Sequence, residues 1–175
     1  MKGAGGRANK DRRASEQTPG EEVMAAALRM ISTRSYSEGE LRDRLARHSA
    51  GAEIVEDCIK RLKERGYVND ELFAHNYASY RVASKPVGRA RLARELAIKK
   101  VSPKRINAAL DLVFGEVAEE NLIDRAIAKR IRTHRRPADR AAAKRLFDHL
   151  ARLGFEYDLI VKKIRELEAE TEESE

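Results

Sequence analysis

Three stretches of equal length decide the fold: LRDRLARHSAGAEIVEDCIKRL (41–62), LARELAIKKVSPKRINAALDLV (92–113) and LFDHLARLGFEYDLIVKKIREL (146–167). Each carries branched aliphatic residues in one spacing, L-x3-L-x9-V/I-x3-I/L-x2-L/V. The first pair marks one helix face, and the triple at i, i+4 and i+7 marks the face of a second helix. Each stretch therefore predicts two helices joined by a short turn. The matching positions are Leu41, Leu45, Val55, Ile59 and Leu62; Leu92, Leu96, Ile106, Leu110 and Val113; and Leu146, Leu150, Ile160, Ile164 and Leu167.

A third helix is expected before each pair, because apolar residues recur there at i and i+4, followed by i+7 in the middle unit and i+8 in the last. They are Phe73, Tyr77 and Tyr80 in the middle unit and Ile123, Ile127 and Ile131 in the last. We therefore predict an all-α protein of three tandem three-helix, helix-turn-helix-like repeats. Units of this size bury little core alone, so we expect them to stack into a curved, elongated array.

The domain boundaries are predicted from composition and from the breaks between apolar patterns. Residues 1–20 lack an apolar period and are expected to form a disordered basic arm. Repeats 1, 2 and 3 are placed at 21–66, 67–115 and 116–168, with the break between repeats 2 and 3 at Phe114–Gly115. The Glu-rich residues 169–175 are expected to form an acidic tail.

Gly66 and Gly154 stand where a helix is expected to end in a left-handed residue. Beside the first of them, Tyr67 and Phe73 are interpreted as aromatics that pack where repeats 1 and 2 meet. The alternative is that this segment contacts a partner.

The chain is strongly basic, with 36 Lys and Arg against 29 Asp and Glu, a net charge of +7 and a pI near 9.6. Such a charge attracts polyanions, of which nucleic acid is the commonest. The single cysteine, Cys58, cannot form an internal disulfide and is expected to be buried and inert. No apolar run is long enough for a membrane span or a secretory signal, which favours a cytoplasmic protein.

No pattern of catalytic residues stands out, and we expect a binding protein that is not an enzyme and has neither a cofactor nor a metal. The histidines His48, His75, His134 and His149 lack metal-ligand spacing. Gly3–Gly6 is followed by no phosphate-loop signature.

Basic residues concentrate in two segments, each with nine bases and one acid: 76–107 and 125–145. Like charges at i, i+4 destabilise a helix, and an anionic partner would relieve that repulsion. A solvated basic face is the alternative. We predict binding by Arg81, Lys85, Arg89, Arg91, Arg94, Lys99, Lys100, Lys104 and Arg105, by a stripe of Arg125, Lys129, Arg132 and Arg136, and by Arg140 and Lys144.

Tyr77 and Tyr80 lie close to Arg81 in the sequence and allow two interpretations. Their phase with Phe73 favours packing in the core. The alternative is stacking on bases, as in proteins that bind single strands.

Four segments resemble the RecX family, the bacterial regulators of the RecA recombinase: YSEGELRDRL (36–45), GYVNDELFA (66–74), KPVGRARLARELAIKKV (85–101) and ARLGFEYDLIVKKI (151–164). The second is the most specific. The family usually has Lys-Gly where this chain has Lys99 and Lys100, so that turn is expected to differ. Arg152 and Leu153 stand where paired bases are usual.

The resemblance implies an inhibitor of RecA in DNA repair, recombination and the SOS response. Members bind the groove of the RecA–DNA filament and suppress ATP hydrolysis, strand exchange and co-protease activity. The implied partners are the RecA filament and single- and double-stranded DNA without sequence preference, bound by a monomer. The alternatives are a helix-turn-helix transcription regulator, which would show half-site spacing, and a helical adaptor.

Overall fold

The protein is described by a computed structural model for residues 18–47, 51–134, 136–137 and 139–172, with side chains through residue 169. Within these ranges the chain is all-α, without strands, which confirms the predicted fold class. Most of the predicted arm lies outside the described residues. The helices are α1 (Pro19–Thr33), α2 (Glu38–Leu45), α3 (Ala52–Glu64), α4 (Asp70–Ser84), α5 (Arg89–Ile98), α6 (Pro103–Glu116), α7 (Glu119–His134), α8 (Arg140–Leu153) and α9 (Tyr157–Glu172).

Three helix ends differ from the sequence prediction. Helix α6 continues through Gly115 to Glu116, so the break placed at Phe114–Gly115 is wrong by two residues. Helix α9 extends to Glu172, so the first part of the predicted tail is helical. Helix α1 begins at Pro19, inside the predicted arm, and its N-cap Thr18 forms a capping box with Glu21. None of the described helices combines the length and apolarity required to cross a bilayer.

The chain forms two compact units that divide after Asn69. The N-terminal unit holds α1–α3 around a core in which Leu41, Leu45, Val55, Ile59 and Leu62 are buried. Its second helix is capped by the Ser37 side chain, which accepts a hydrogen bond from the Glu40 amide at 3.0 Å. Cys58 is also buried there, 4.0 Å from the Met24 sulfur, and burial raises the pKa of its thiol.

The C-terminal unit, from Asp70 onward, contains repeats 2 and 3 around one continuous core. The repeat pattern predicts this core well, because eight of its ten positions in the unit are buried and Ile164 and Leu167 are half-buried. The fully buried members are Leu92, Leu96, Leu110, Leu150 and Ile160.

The aromatic residues follow the prediction only in part. Tyr80 is 69% exposed, because α4 turns Ala74, Ala78 and Val82 to the core instead. Small residues on this face let α4 approach α6 closely. Phe73 is buried and Tyr77 is half-buried, whereas Tyr67 is 58% exposed and is not a core residue.

Repeats 2 and 3 meet main chain to main chain at two glycines. The Gly88 amide donates to the Leu153 carbonyl at 2.9 Å, and the Ala90 amide donates to the Gly154 carbonyl at 3.2 Å. A Cβ at Gly88 would overlap the main chain of Gly154, and a Cβ at Gly154 would overlap that of Arg91. The start of α5 is therefore joined directly to the end of α8.

Three helices end in the same left-handed motif, with positive φ at Gly66 (73°), Lys100 (61°) and Gly154 (90°). At each end the next amide reaches back five residues, as from Val101 to the Leu96 carbonyl at 3.2 Å. The prediction that Gly66 and Gly154 are left-handed is confirmed. Lys100 adopts the same conformation, so replacing the family's usual glycine leaves this turn left-handed.

Lys100→Gly is expected to stabilise the C-terminal unit by about 1 kcal/mol, because glycine removes the Cβ strain of a left-handed residue. Urea unfolding followed by circular dichroism measures the effect. Lys100→Ala is the matched control, since it removes the same side chain and keeps the Cβ. Equal midpoints for the two variants would contradict this interpretation.

Candidate anion-binding cleft

A cleft of about 240 Å³ opens between repeats 2 and 3, where α4, α5, α7 and α8 converge. Pro86, Val87, Ala126 and Leu153 give it an apolar floor. No carboxylate is among the described residues that line it. Its bases come from both repeats: Arg81, Lys85, Arg91, Lys129 and Arg130.

Glu95 fixes the positions of two arginine side chains in one wall of this cleft. Arg81 donates to both of its carboxylate oxygens, at 2.8 and 2.9 Å. Arg91 donates to it at 3.0 Å, as does the Tyr77 hydroxyl. The hydrogen bonds from Arg81, with those from Arg91 and Tyr77, lower the pKa of Glu95 to about 2 against the opposing effect of burial. One half-buried carboxylate, that of Glu95, thus holds two guanidinium groups in place.

His149 lies in the same cleft, half-buried. Burial and then the charges of Arg130 and Arg152, together with His134, lower the pKa of its imidazole. His149 is therefore mainly neutral at pH 7 and offers a polar contact without a charge.

Several predicted binding residues are engaged in holding the repeat together. Arg89 pairs with Asp111 at 2.5 Å, and Arg105 pairs with the buried Asp70 at 3.4 Å. The Lys99 ammonium lies 5.1 Å from the Tyr77 ring centroid. These bases are tied to partners far away in the sequence, so counting charges overstated the free positive charge.

The remaining predicted bases lie outside the cleft. On α7, Arg125 and Arg132 are exposed beside Lys129. Arg136 follows the end of α7, so its placement on the helical stripe was wrong. The other exposed members of the predicted set are Arg94 on α5, Lys100 after it, Lys104 on α6, and Arg140 and Lys144 on α8.

Arg130 was not among the predicted binding residues, although it is one of the nine bases of segment 125–145. Ala126, Lys129, Arg130 and Thr133 form the face of α7 that lines the cleft. The small residue Ala126 within this face was the one sequence feature that could have indicated it. That this face meets repeat 2 could not be predicted without knowing how the repeats pack.

The described residues contain no cluster of three or more His, Cys, Asp or Glu side chains suited to a metal ion. The bases, Thr133 and His149 that line the cleft offer charge and hydrogen bonds. Arginine offers a planar fork that matches phosphate or carboxylate, and lysine adds a mobile point charge.

Known proteins share this sequence pattern along most of its length. Residues 24–70 match the family model for "RecX, first three-helix domain", and residues 69–110 match the family model for "RecX, second three-helix domain". Regulatory protein RecX of Streptomyces lividans is 30% identical over 158 residues, which cover 90% of this chain and 84% of the relative. The same-named protein of Syntrophotalea carbinolica is 30% identical over 139 residues, covering 78% and 90%.

A solved structure has the same fold. The crystal structure of RecX from Lactobacillus salivarius superposes with a TM-score of 0.76, over 86% of this chain and 97% of that one, at 19% identity. With the shared fold and the two sequence relatives taken together, the chain belongs to the RecX family of regulatory proteins.

Proposed function

We propose that this protein inhibits the RecA recombinase by binding the RecA–DNA filament in the bacterial cytoplasm. It acts as a monomer and by binding alone, without a reaction of its own. Bound in the filament groove, it suppresses ATP hydrolysis, strand exchange and co-protease activity. Its membership in the RecX family supports the regulatory role.

The observation that carries the proposal is the cleft, whose described lining residues include five bases and no carboxylate. A phosphodiester backbone offers anionic oxygens at regular intervals, and each cation that contacts it releases a counterion. Glu95 holds Arg81 and Arg91 ready, so less side-chain freedom is lost on binding. Such contacts are independent of base sequence, as binding along a whole filament requires.

The position of the cleft supports a mechanism of inhibition. Its walls belong to two repeats that share one core, so a strand held there is held by a rigid body. A rigid body in the groove would oppose the movement of RecA protomers that accompanies hydrolysis. Exposed Arg125 and Arg132 would extend the contact along α7.

The test is inhibition of DNA-stimulated ATP hydrolysis by RecA, using Lys85→Glu with Lys129→Glu. We expect the concentration for half-inhibition to rise about tenfold, which corresponds to about 1.4 kcal/mol. The slope of log K against log salt for duplex DNA should fall by about 2. Unchanged helicity would show that the fold survives.

Arg29→Glu with Lys60→Glu is the matched control. It makes the same change in net charge at two exposed positions of the N-terminal unit and should leave inhibition within twofold of wild type. Equal loss in both double variants would attribute inhibition to net charge and refute the cleft. Absence of inhibition by the wild-type protein, with tight binding to one duplex sequence, would favour a transcription regulator.

A further inference from the structure

A second surface on repeat 3 is chemically unlike the cleft. Helices α8 and α9 leave a groove of about 930 Å³ between them. Phe147 meets Tyr157 edge to face across it, with ring centroids 5.4 Å apart, and Tyr157 remains 68% exposed. Half-buried Val161 continues the apolar floor, and the rim is basic, with Arg140, Lys144 and Arg165.

The internal repeat identifies the residues of repeat 2 that correspond to this groove. Repeat 3 follows repeat 2 with an offset of 54 residues, as from Leu92 to Leu146. At the corresponding place on repeat 2, the amides of Gly88, Arg89 and Ala90 receive repeat 3. On repeat 3 the equivalent of the Gly88 amide is the Ala142 amide, which already donates to the Asp139 side chain at 2.6 Å. The groove on repeat 3 therefore does not repeat this main-chain contact and presents side chains instead.

The side chains at these equivalent positions differ in an informative way. Ala90 and Ala93 of repeat 2 correspond to Lys144 and Phe147 of repeat 3. At these positions repeat 3 carries a larger apolar side chain and an added base, as a surface for a separate partner would.

The chemistry of the partner follows from the charge around the groove. Its rim carries three bases, Arg140, Lys144 and Arg165, which are complementary to an acidic partner. One lining acid, Glu168, and the pairing of Lys144 with Asp148 at 3.2 Å reduce this charge without reversing it.

We propose that the groove between α8 and α9 binds an acidic amphipathic helix of a protein partner. The apolar face of that helix covers Phe147, Tyr157 and Val161, and its carboxylates pair with the basic rim. An apolar floor is of little use to a phosphate backbone, which favours a protein over nucleic acid here. This reassigns Arg140 and Lys144 from DNA contact to protein contact.

The first test uses a peptide of about 18 residues, with Leu at i, i+3, i+4 and i+7 and Glu at the exposed positions. Methyl NMR of the full chain should show shifts at Val161 and Ile164. The same peptide with Lys in place of Glu should bind at least tenfold more weakly. Arg140→Glu with Arg165→Glu should lower the affinity for the acidic peptide at least tenfold, whereas Arg29→Glu with Lys60→Glu should change this affinity less than twofold.

Three results would overturn the proposal. They are equal affinity for the two peptides, shifts confined to the cleft around Lys85, and equal or larger shifts at Val161 on adding a DNA oligonucleotide. If the NMR signals of Val161 and Ile164 shifted with protein concentration alone, the occupant of the groove would be a second copy of this protein instead. Position 140 is the first residue of α8, and a carboxylate is favourable at the N-terminus of a helix, so the fold is expected to tolerate Arg140→Glu.

A second test asks whether RecA supplies the helix, and this part rests on the proposed function. The Arg140→Glu and Arg165→Glu double variant should lose at least tenfold in affinity for RecA filaments while its affinity for free DNA changes less than twofold. Proportional loss for both would refute a protein contact. If the wild-type protein does not inhibit RecA, the proposed function fails, and the peptide titration still decides the groove.

Discussion

Gly154→Ala is expected to destabilise the C-terminal unit by at least about 3 kcal/mol. Alanine at this position would carry a φ of 90° and a Cβ that overlaps the main chain of Arg91. Main chain cannot move aside as a flexible side-chain end can, so α5 and α8 would have to separate. Hydrogen exchange of α5 and α8 amides measures the loss within this unit.

Gly88→Ala should have an effect of similar size, since its Cβ would overlap the Gly154 main chain. Gly115→Ala is the control, because nothing lies within 4 Å of its added Cβ. That residue is inside α6, so alanine should stabilise by up to about 1 kcal/mol. If Gly88→Ala were as stable as Gly115→Ala, the close approach of the repeats would be wrong.

Glu95→Gln is expected to weaken the fold and to strengthen binding. Losing a carboxylate that accepts from Arg81, Arg91 and Tyr77 should cost about 2 kcal/mol at pH 7, after allowance for solvent screening. The guanidinium groups would lose the partner that fixes their position, but they would also carry an unbalanced positive charge, and we expect the added charge to outweigh the lost ordering. We expect duplex DNA to bind about threefold more tightly, measured by fluorescence anisotropy.

The pH dependence of stability has a definite sign. The pKa of Glu95 is about 2 in the folded protein against an ordinary value of 4.5. Its contribution is therefore complete above about pH 4.5 and is lost as the pH falls toward 2. Glu95→Gln should remove this part of the acid dependence, whereas Glu116→Gln, at an exposed residue of the same unit, should keep it. An acid transition identical in Glu95→Gln and wild type would contradict the role of this carboxylate.

Burial of the aliphatic repeat could be predicted because it depends on local helical period. The same period misplaced Tyr80, since a face through Phe73 and a face through Ala74 differ by one residue, or about 100°. Only packing against α6 decides between them. Aromatic size suggested the first face, and the small residues Ala74 and Ala78 occupy the second.

The cleft could be predicted only in part. Local charge density indicated Arg81, Lys85, Arg91 and Lys129, which lie together there. It could not show that Arg89 pairs with Asp111, because that acid is 22 residues away. Nor could it show that two repeats supply opposite walls, which depends on the approach at Gly88 and Gly154.

The glycine contact also determines which features of this molecule are open to change by mutation. A Cβ at either position meets main chain, which every amino acid has, so no substitution at the other position can compensate. The bases around the cleft have no such restriction, because Lys85 and Lys129 are exposed and exchangeable with arginine. The shape of the cleft therefore requires glycine at both positions, whereas its charge can be altered by single substitutions.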